Sequence, residues 1–263
     1  MYEIIDFHSH IYPDKIAQKA TEGVSKFYCI KMAKPIGSVD VLLDSGNNAG
    51  IGKFVVHSVA TTARQVQSIN NFIIDQCNKH SDRFLGFMAM HPDLDKPLDE
   101  VDRAVKLGLK GIKIHPDVQT FNLDDERMFP IYDYIQGKIP VLIHCGDYRY
   151  DYSHPRRLAK ILKLFPKLTV IGAHFGGWSL YDLAMEFLLN ENCFIDTSSS
   201  FTYLGKVRSR EIIKSYGFDR VVFGVDFPMW DHKSELDFFL SLGFSEEQNK
   251  KILHDNAAAL LNL

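Results

Sequence analysis

His8 and His10 stand two positions apart where the first apolar run, EIIDFHSH, comes to its end. A strand turns alternate side chains to one face, so both imidazoles point the same way and can reach one ion. A divalent ion such as zinc accepts imidazole nitrogen at about 2.0–2.1 Å, and a catalytic site uses about three or four protein ligands with one position left for water. Three further residues able to ligate metal or carry protons close later runs of the same kind. His144 ends IPVLIH, His174 ends LTVIGAH and Asp226 ends RVVFGVD. A lone histidine at a strand end is more often structural than catalytic, but five such residues at corresponding places point to one metal-dependent centre. Alternation sets Asp6 beside His8, Gly172 beside His174 and Gly224 beside Asp226 on their strands, the glycines leaving room in the interior.

The elements that must carry these residues are legible as eight short runs rich in Val, Ile and Phe, at 3–8, 53–60, 84–90, 109–115, 139–144, 168–174, 193–198 and 220–226. Each is followed by a stretch with helical spacing, the pattern of parallel strands joined by crossover helices. Pro97 opens a helix in which Leu98, Val101, Ala104 and Val105 share a face and Gly108 is the stop; another runs from Pro155 through Leu158, Ile161, Leu162 and Phe165 to Pro166. The first crossover is longer, with a helix opened by Pro13 and a second apolar stretch, VDVLL, at 39–43. Part of 11–50 is therefore expected to cover the mouth of the fold. An open doubly wound sheet would have the same count of units. No G-x-G-x-x-G follows the first strand, and only a closed barrel brings the ends of strands one and eight to one mouth, so the expected fold is a single-domain (β/α)8 TIM barrel over 1–263.

A length of 263 residues with 46% apolar content suits one large core. The balance of 30 basic against 33 acidic residues, net charge -3, supplies no positive field for nucleic acid or anionic membranes. Glu3 and Asp6 interrupt the first apolar run, which therefore does not read as a signal peptide, and no segment approaches the roughly 20 apolar residues of a membrane span. Cys29, Cys77, Cys145 and Cys193 are widely spaced, as expected for reduced thiols in a cytoplasmic protein.

In succession, IIDFHSHIYP, GIKIHP, VLIHCGD, IGAHFGG and VVFGVDFP resemble the amidohydrolase superfamily, in its amidohydrolase-related branch, which includes decarboxylases similar to aminocarboxymuconate semialdehyde decarboxylase and many uncharacterised hydrolases. The resemblance extends from Asp6 to the final ILHDNAAALLNL. It implies one divalent ion, usually zinc with manganese or another ion as alternatives, held at the positions matching His8, His10, His144 and Asp226. His174 would face the metal-bound water and help to activate it, and Asp226 would serve as both ligand and proton acceptor. Two-metal members carry a carboxylated lysine on strand four; Lys113 occupies that strand, and a structural or substrate-facing role is the expectation here. The resemblance also makes a homodimer plausible.

For substrate contacts the candidates are His115, which follows strand four, Arg149, whose planar fork suits a carboxylate, and Trp178, which with Tyr148, Tyr150 and Tyr152 could line an apolar pocket. Solvated pairing of Arg149 with Asp147 or Asp151 is an equal alternative. His91, in MHPD, and His57, on strand two, read as structural. The expected function is hydrolysis of a small-molecule amide, lactone or related bond through a metal-activated water. Non-oxidative decarboxylation of a small aromatic or enol carboxylate is the alternative, since it can use nearly the same groups.

Overall fold

The computed structural model describes residues 2–263. All eight expected runs form strands: β1 (Ile4–His10), β2 (Ile51–His57), β3 (Phe84–Ala89), β4 (Gly111–Ile114), β5 (Val141–Ile143), β6 (Val170–Gly172), β7 (Phe194–Asp196) and β8 (Val221–Val222). They follow one another β1 to β8 in a single sheet, the strand order of a (β/α)8 barrel, and the paired strands run parallel. The later strands stop earlier than their apolar runs suggest. His115, His144, His174 and Asp226 therefore sit just beyond their strands, in the connections that carry the chemistry of this fold.

By internal packing the chain forms two compact units, Met1–Ser58 with His80–Leu85 and Thr197–Leu263, and Val59–Lys79 with Gly86–Asp196. In the first, β1 pairs with β2 on one side and with the β8 segment on the other. Phe7 N–H donates to Phe223 O, Asp226 N–H to His8 O and His10 N–H to Phe227 O, each at 2.8 Å. Helix α1 (Asp14–Tyr28) comes first in the long crossover, and α2 (Val39–Ala49) covers β2 with Val39, Leu42, Ser45 and Gly46 buried. Gly46 is required there, because a Cβ would lie 2.1 Å from Phe54 Cζ. Gly50 ends α2 in the left-handed conformation at φ 75°, its N–H turned back to Gly46 and Asn47 carbonyls. The segment between the two helices is bonded to the strand-end loops: Tyr12 N–H donates to Gly37 O, Ala33 N–H to Met229 O and Lys34 N–H to Pro228 O.

The second unit holds α3 (Val66–Lys79), most of β3, and β4 to β7 with α4 (Pro97–Lys106), α5 (Pro116–Gln119), α6 (Phe129–Ile135), α7 (Pro155–Leu164) and α8 (Tyr181–Leu188). Pro97 and Pro155 each occupy a first helical position, where a missing N–H costs nothing. Val101 and Ala104 are buried in α4, but Val105 is 41% exposed, so it does not share their face as expected. Glu100 takes a buried place instead, held by Asn70 and Arg103. The first unit is completed by α9 (Phe201–Tyr216), α10 (His232–Leu240), α11 (Glu246–Lys250) and α12 (Asn256–Leu261). All four cysteines are free thiols. Among the described residues, no helix is long and apolar enough to cross a membrane.

Candidate active site

The β1–β8 pairing brings three expected ligands together. His8 Nε2 lies 3.4 Å and His10 Nε2 3.3 Å from the same oxygen of Asp226. Two donors bound to one ion at about 2.05 Å with a tetrahedral angle stand about 3.3 Å apart, so the observed spacings fit a zinc-sized ion. His57 adds a third imidazole. Its ring lies 4.4 Å from that of His10 and 5.0 Å from that of His8, and ring nitrogens of all three lie within 4.8 Å of one another. The sequence reading set His57 aside as a core residue, although it closes β2 in register with His10.

The Asp226 carboxylate is held in place. Ser199 Oγ donates to its Oδ2 at 2.5 Å, and Trp230 Nε1–H donates to Ser199 Oγ at 2.8 Å. Burial pushes the Tyr12 phenol up, and the Asp226 charge adds to the shift; burial and Asp226 raise Tyr203 in the same way. Beneath the ligands, the fully buried Asp6 accepts four hydrogen bonds. Oδ1 takes His8 N–H at 3.0 Å and Val225 N–H at 2.9 Å, while Oδ2 takes the Ser9 hydroxyl and His232 Nε2–H at 3.1 Å. His232 Nδ1 lies 2.8 Å from Ser45 Oγ. With Nε2–H given to Asp6, Nδ1 is the acceptor and the Ser45 hydroxyl the donor. One carboxylate thus ties the β1 ligands to the strand that delivers Asp226.

In the second unit buried basic side chains lie on β4 and just after β4, β5 and β6. Lys113, His115, His144 and His174 are each at most 6% exposed. The His115 and His144 rings stack 3.7 Å apart at 8°, and His144 Nδ1 lies 2.9 Å from His174 Nε2. Asp117 faces this row, its Oδ2 3.5 Å from His144 Nε2 and bonded to the Ser153 hydroxyl. Burial raises Asp117 to about 6, against the Ser153 hydrogen bond that lowers it. His115, His144 and Asp117 also have ligand atoms within 4.8 Å of one another.

His174, Ser199 and Asp226 all have positive φ, at 60°, 49° and 66°. For residues with a Cβ this is a strained, sparsely populated conformation, typical of functional sites. It also defeats the alternation argument for Gly172. The chain turns left-handed at His174, and a Cβ on Gly172 would meet Gly176, Leu158 of α7 and Cys145, on the helix side rather than in an open interior. His174 is fixed in this turn by its N–H, which donates to Asp196 Oδ1 at 2.8 Å.

Of the proposed substrate contacts, His115 joins the basic row. Arg149 is engaged through Nε and Nη2 with the two oxygens of Asp147, at 2.9 and 2.6 Å, so its fork is committed within its own loop. Trp178 is 8% exposed, and its backbone N–H donates to Cys145 O at 2.7 Å.

Known structures with this fold are similar along nearly their full lengths. An uncharacterised TIM-barrel protein from Bordetella bronchiseptica is 21% identical, with TM-score 0.80 and 99% of each chain covered. A dihydroxybenzoic acid decarboxylase from Polaromonas sp. JS666, solved with manganese and the inhibitor 2-nitroresorcinol, is 19% identical with TM-score 0.79, covering 100% of this chain and 98% of that one. The 5-carboxyvanillate decarboxylase of Sphingomonas paucimobilis is 15% identical with TM-score 0.77, both chains covered completely. At such identities the likeness establishes the barrel fold. The amidohydrolase family model matches residues 5–263, and with that match over almost every residue, the chain belongs to the amidohydrolase family.

Proposed function

We propose that the protein is a metal-dependent, non-oxidative decarboxylase of a small carboxylic acid. The observation that carries this reading is the buried row Lys113, His115, His144 and His174, a concentration of cationic and N–H donor groups suited to an anionic substrate. Decarboxylases among the proteins of similar fold, one of them with bound manganese, support the same choice. His8, His10 and Asp226, with His57 beside them, would hold the divalent ion, zinc or manganese. The ion, when bound, supplies positive charge that orients the substrate and stabilises developing negative charge.

The chain's own residues then divide the work. His115 orients the carboxylate by hydrogen bonding. The bond from the carboxylate to the substrate carbon breaks, its electron pair stays on that carbon, and carbon dioxide leaves. His174 donates the proton that replaces it, poised by its contact with His144. Hydrolysis of a small amide or lactone is the second reading, favoured by the family match itself.

Headspace carbon dioxide is the deciding measurement, with a panel that includes 2,6-dihydroxybenzoate and 5-carboxyvanillate. Gas evolution that is abolished by chelation, restored by zinc or manganese, and lost in His174→Asn is the expected result. Turnover of amides or lactones with no gas from any carboxylate would replace the decarboxylase reading with hydrolysis.

A further inference from the structure

The loops that follow β2, β3 and β4 form an open pocket of about 580 Å³ whose polar lining includes Thr61, Thr62, Arg64, His91, Asp93, Gln119 and Arg127. Its volume falls within the range of small-molecule sites, about 300–1,000 Å³. Its position is fixed by Gln119, which is itself buried at 4% exposure. The Gln119 amide donates to Ala60 O at 2.8 Å and Met90 O at 2.7 Å, while its oxygen accepts His115 N–H at 2.8 Å. One side chain therefore pins all three loops, and the cavity is preformed.

His91 is only 6% exposed, yet it lines this cavity. Its Nδ1 accepts Asp93 N–H at 3.2 Å, and burial holds the imidazole below its ordinary pKa. The neutral ring must then carry its proton on Nε2. Among the described residues, that donor has no protein acceptor. Arg127 is paired with both Asp125 and Asp93. Arg64, exposed on the rim, has no ion-pair or hydrogen-bond partner among the described residues. A guanidinium without a protein partner and a buried imidazole N–H thus line one cavity.

We propose that this cavity is a binding site for a small-molecule oxyanion, a carboxylate or phosphate group, with Arg64 as the charged donor and His91 Nε2–H as the second. It shares no residue with the His8, His10, Asp226 cluster and does not depend on the decarboxylase reading. Arg64 supplies two parallel N–H groups matched to two oxygens, and the Thr61 and Thr62 hydroxyls extend the polar wall.

Isothermal titration calorimetry of the protein as purified tests this, with succinate and inorganic phosphate as separate probes. Saturable binding of at least one probe is expected, weakened about 10-fold or more in Arg64→Met and in His91→Phe but retained in Asp226→Asn. Which probe binds distinguishes a carboxylate from a phosphate ligand. Arg64 is exposed, so Arg64→Met leaves the fold intact, and unchanged affinity in that variant would overturn the proposal. So would the lack of saturable binding of either probe up to about 10 mM, or binding lost in Asp226→Asn but intact in Arg64→Met.

Discussion

Replacing Asp6 by asparagine changes almost no volume but removes the charge that four donors share. The carbonyl oxygen of the substituted amide can keep the backbone N–H groups of His8 and Val225, now as neutral bonds. Its amide nitrogen would face the Ser9 hydroxyl and His232 Nε2–H, both donors to the native carboxylate. Ser9 can rotate, but His232 must move its proton to Nδ1 and reverse its bond with Ser45. A hydrogen bond to a charged group is worth about 1.5–3 kcal/mol and a neutral one about 0.5–1.5, so each of the four weakens by on the order of 1 kcal/mol. Relief of the buried carboxylate's desolvation offsets part, leaving a net loss of about 2–3 kcal/mol. At about 2–4 °C per kcal/mol for a chain of this size, thermal unfolding should fall by about 4–12 °C. Because Asp6 also sets the spacing of His8 from the Asp226 strand, metal affinity by chelator competition should fall about 10–100-fold, the effect usual for outer-shell partners of metal ligands. Differential scanning calorimetry and a competition titration on the same preparation measure both. An Asp6→Asn protein that melts within about 1 °C of the native one and holds metal equally well would refute the argument that this carboxylate organises the site.

Ser199→Ala should leave the fold unchanged but free the Asp226 carboxylate to rotate, lowering metal affinity about 10-fold in the same competition assay. Glu235, buried on α10, is raised to about 8 by burial and then by the charges of Asp226 and Asp231. Its folded-state pKa lies above the unfolded one, so its contribution to stability is full below the unfolded value near 4.5 and is lost as pH rises through about 8. In chelated protein, Glu235→Gln should therefore gain stability over the native chain as pH climbs through that window, read as urea midpoints; a constant difference would refute the assignment. Gly46→Ala should destabilise by about 1–3 kcal/mol, because the new Cβ overlaps the Phe54 ring, and a thermal melt will register it.

The positions of all eight strands were legible because apolar β-branched runs, separated by helical spacing, leave few alternatives. The chemical residues at their ends were legible for the same reason, and His8, His10 and Asp226 do converge. What the sequence concealed depends on turns and on distant partners. His174 and Asp226 lie in left-handed turns, so period-two alternation could not report where they point. For Arg149 the order of residues left substrate contact and pairing with Asp147 or Asp151 open, and the structure has the Asp147 pair. Asp6 showed only as a strand residue, since its partner His232 comes 226 positions later. His57 lies inside the run 53–60, and only the observed end of β2 puts it level with His10.

The main-chain bonds between His8 and Asp226 and between His10 and Phe227 hold the backbone that carries these side chains as part of the barrel's own strand pairing. Loading and folding are therefore separable events in this protein, unlike in small domains that collapse only around zinc. An emptied chain should keep its far-ultraviolet circular dichroism and accept a new ion directly. On the proposed function, the same chain should then load zinc or manganese by simple dialysis.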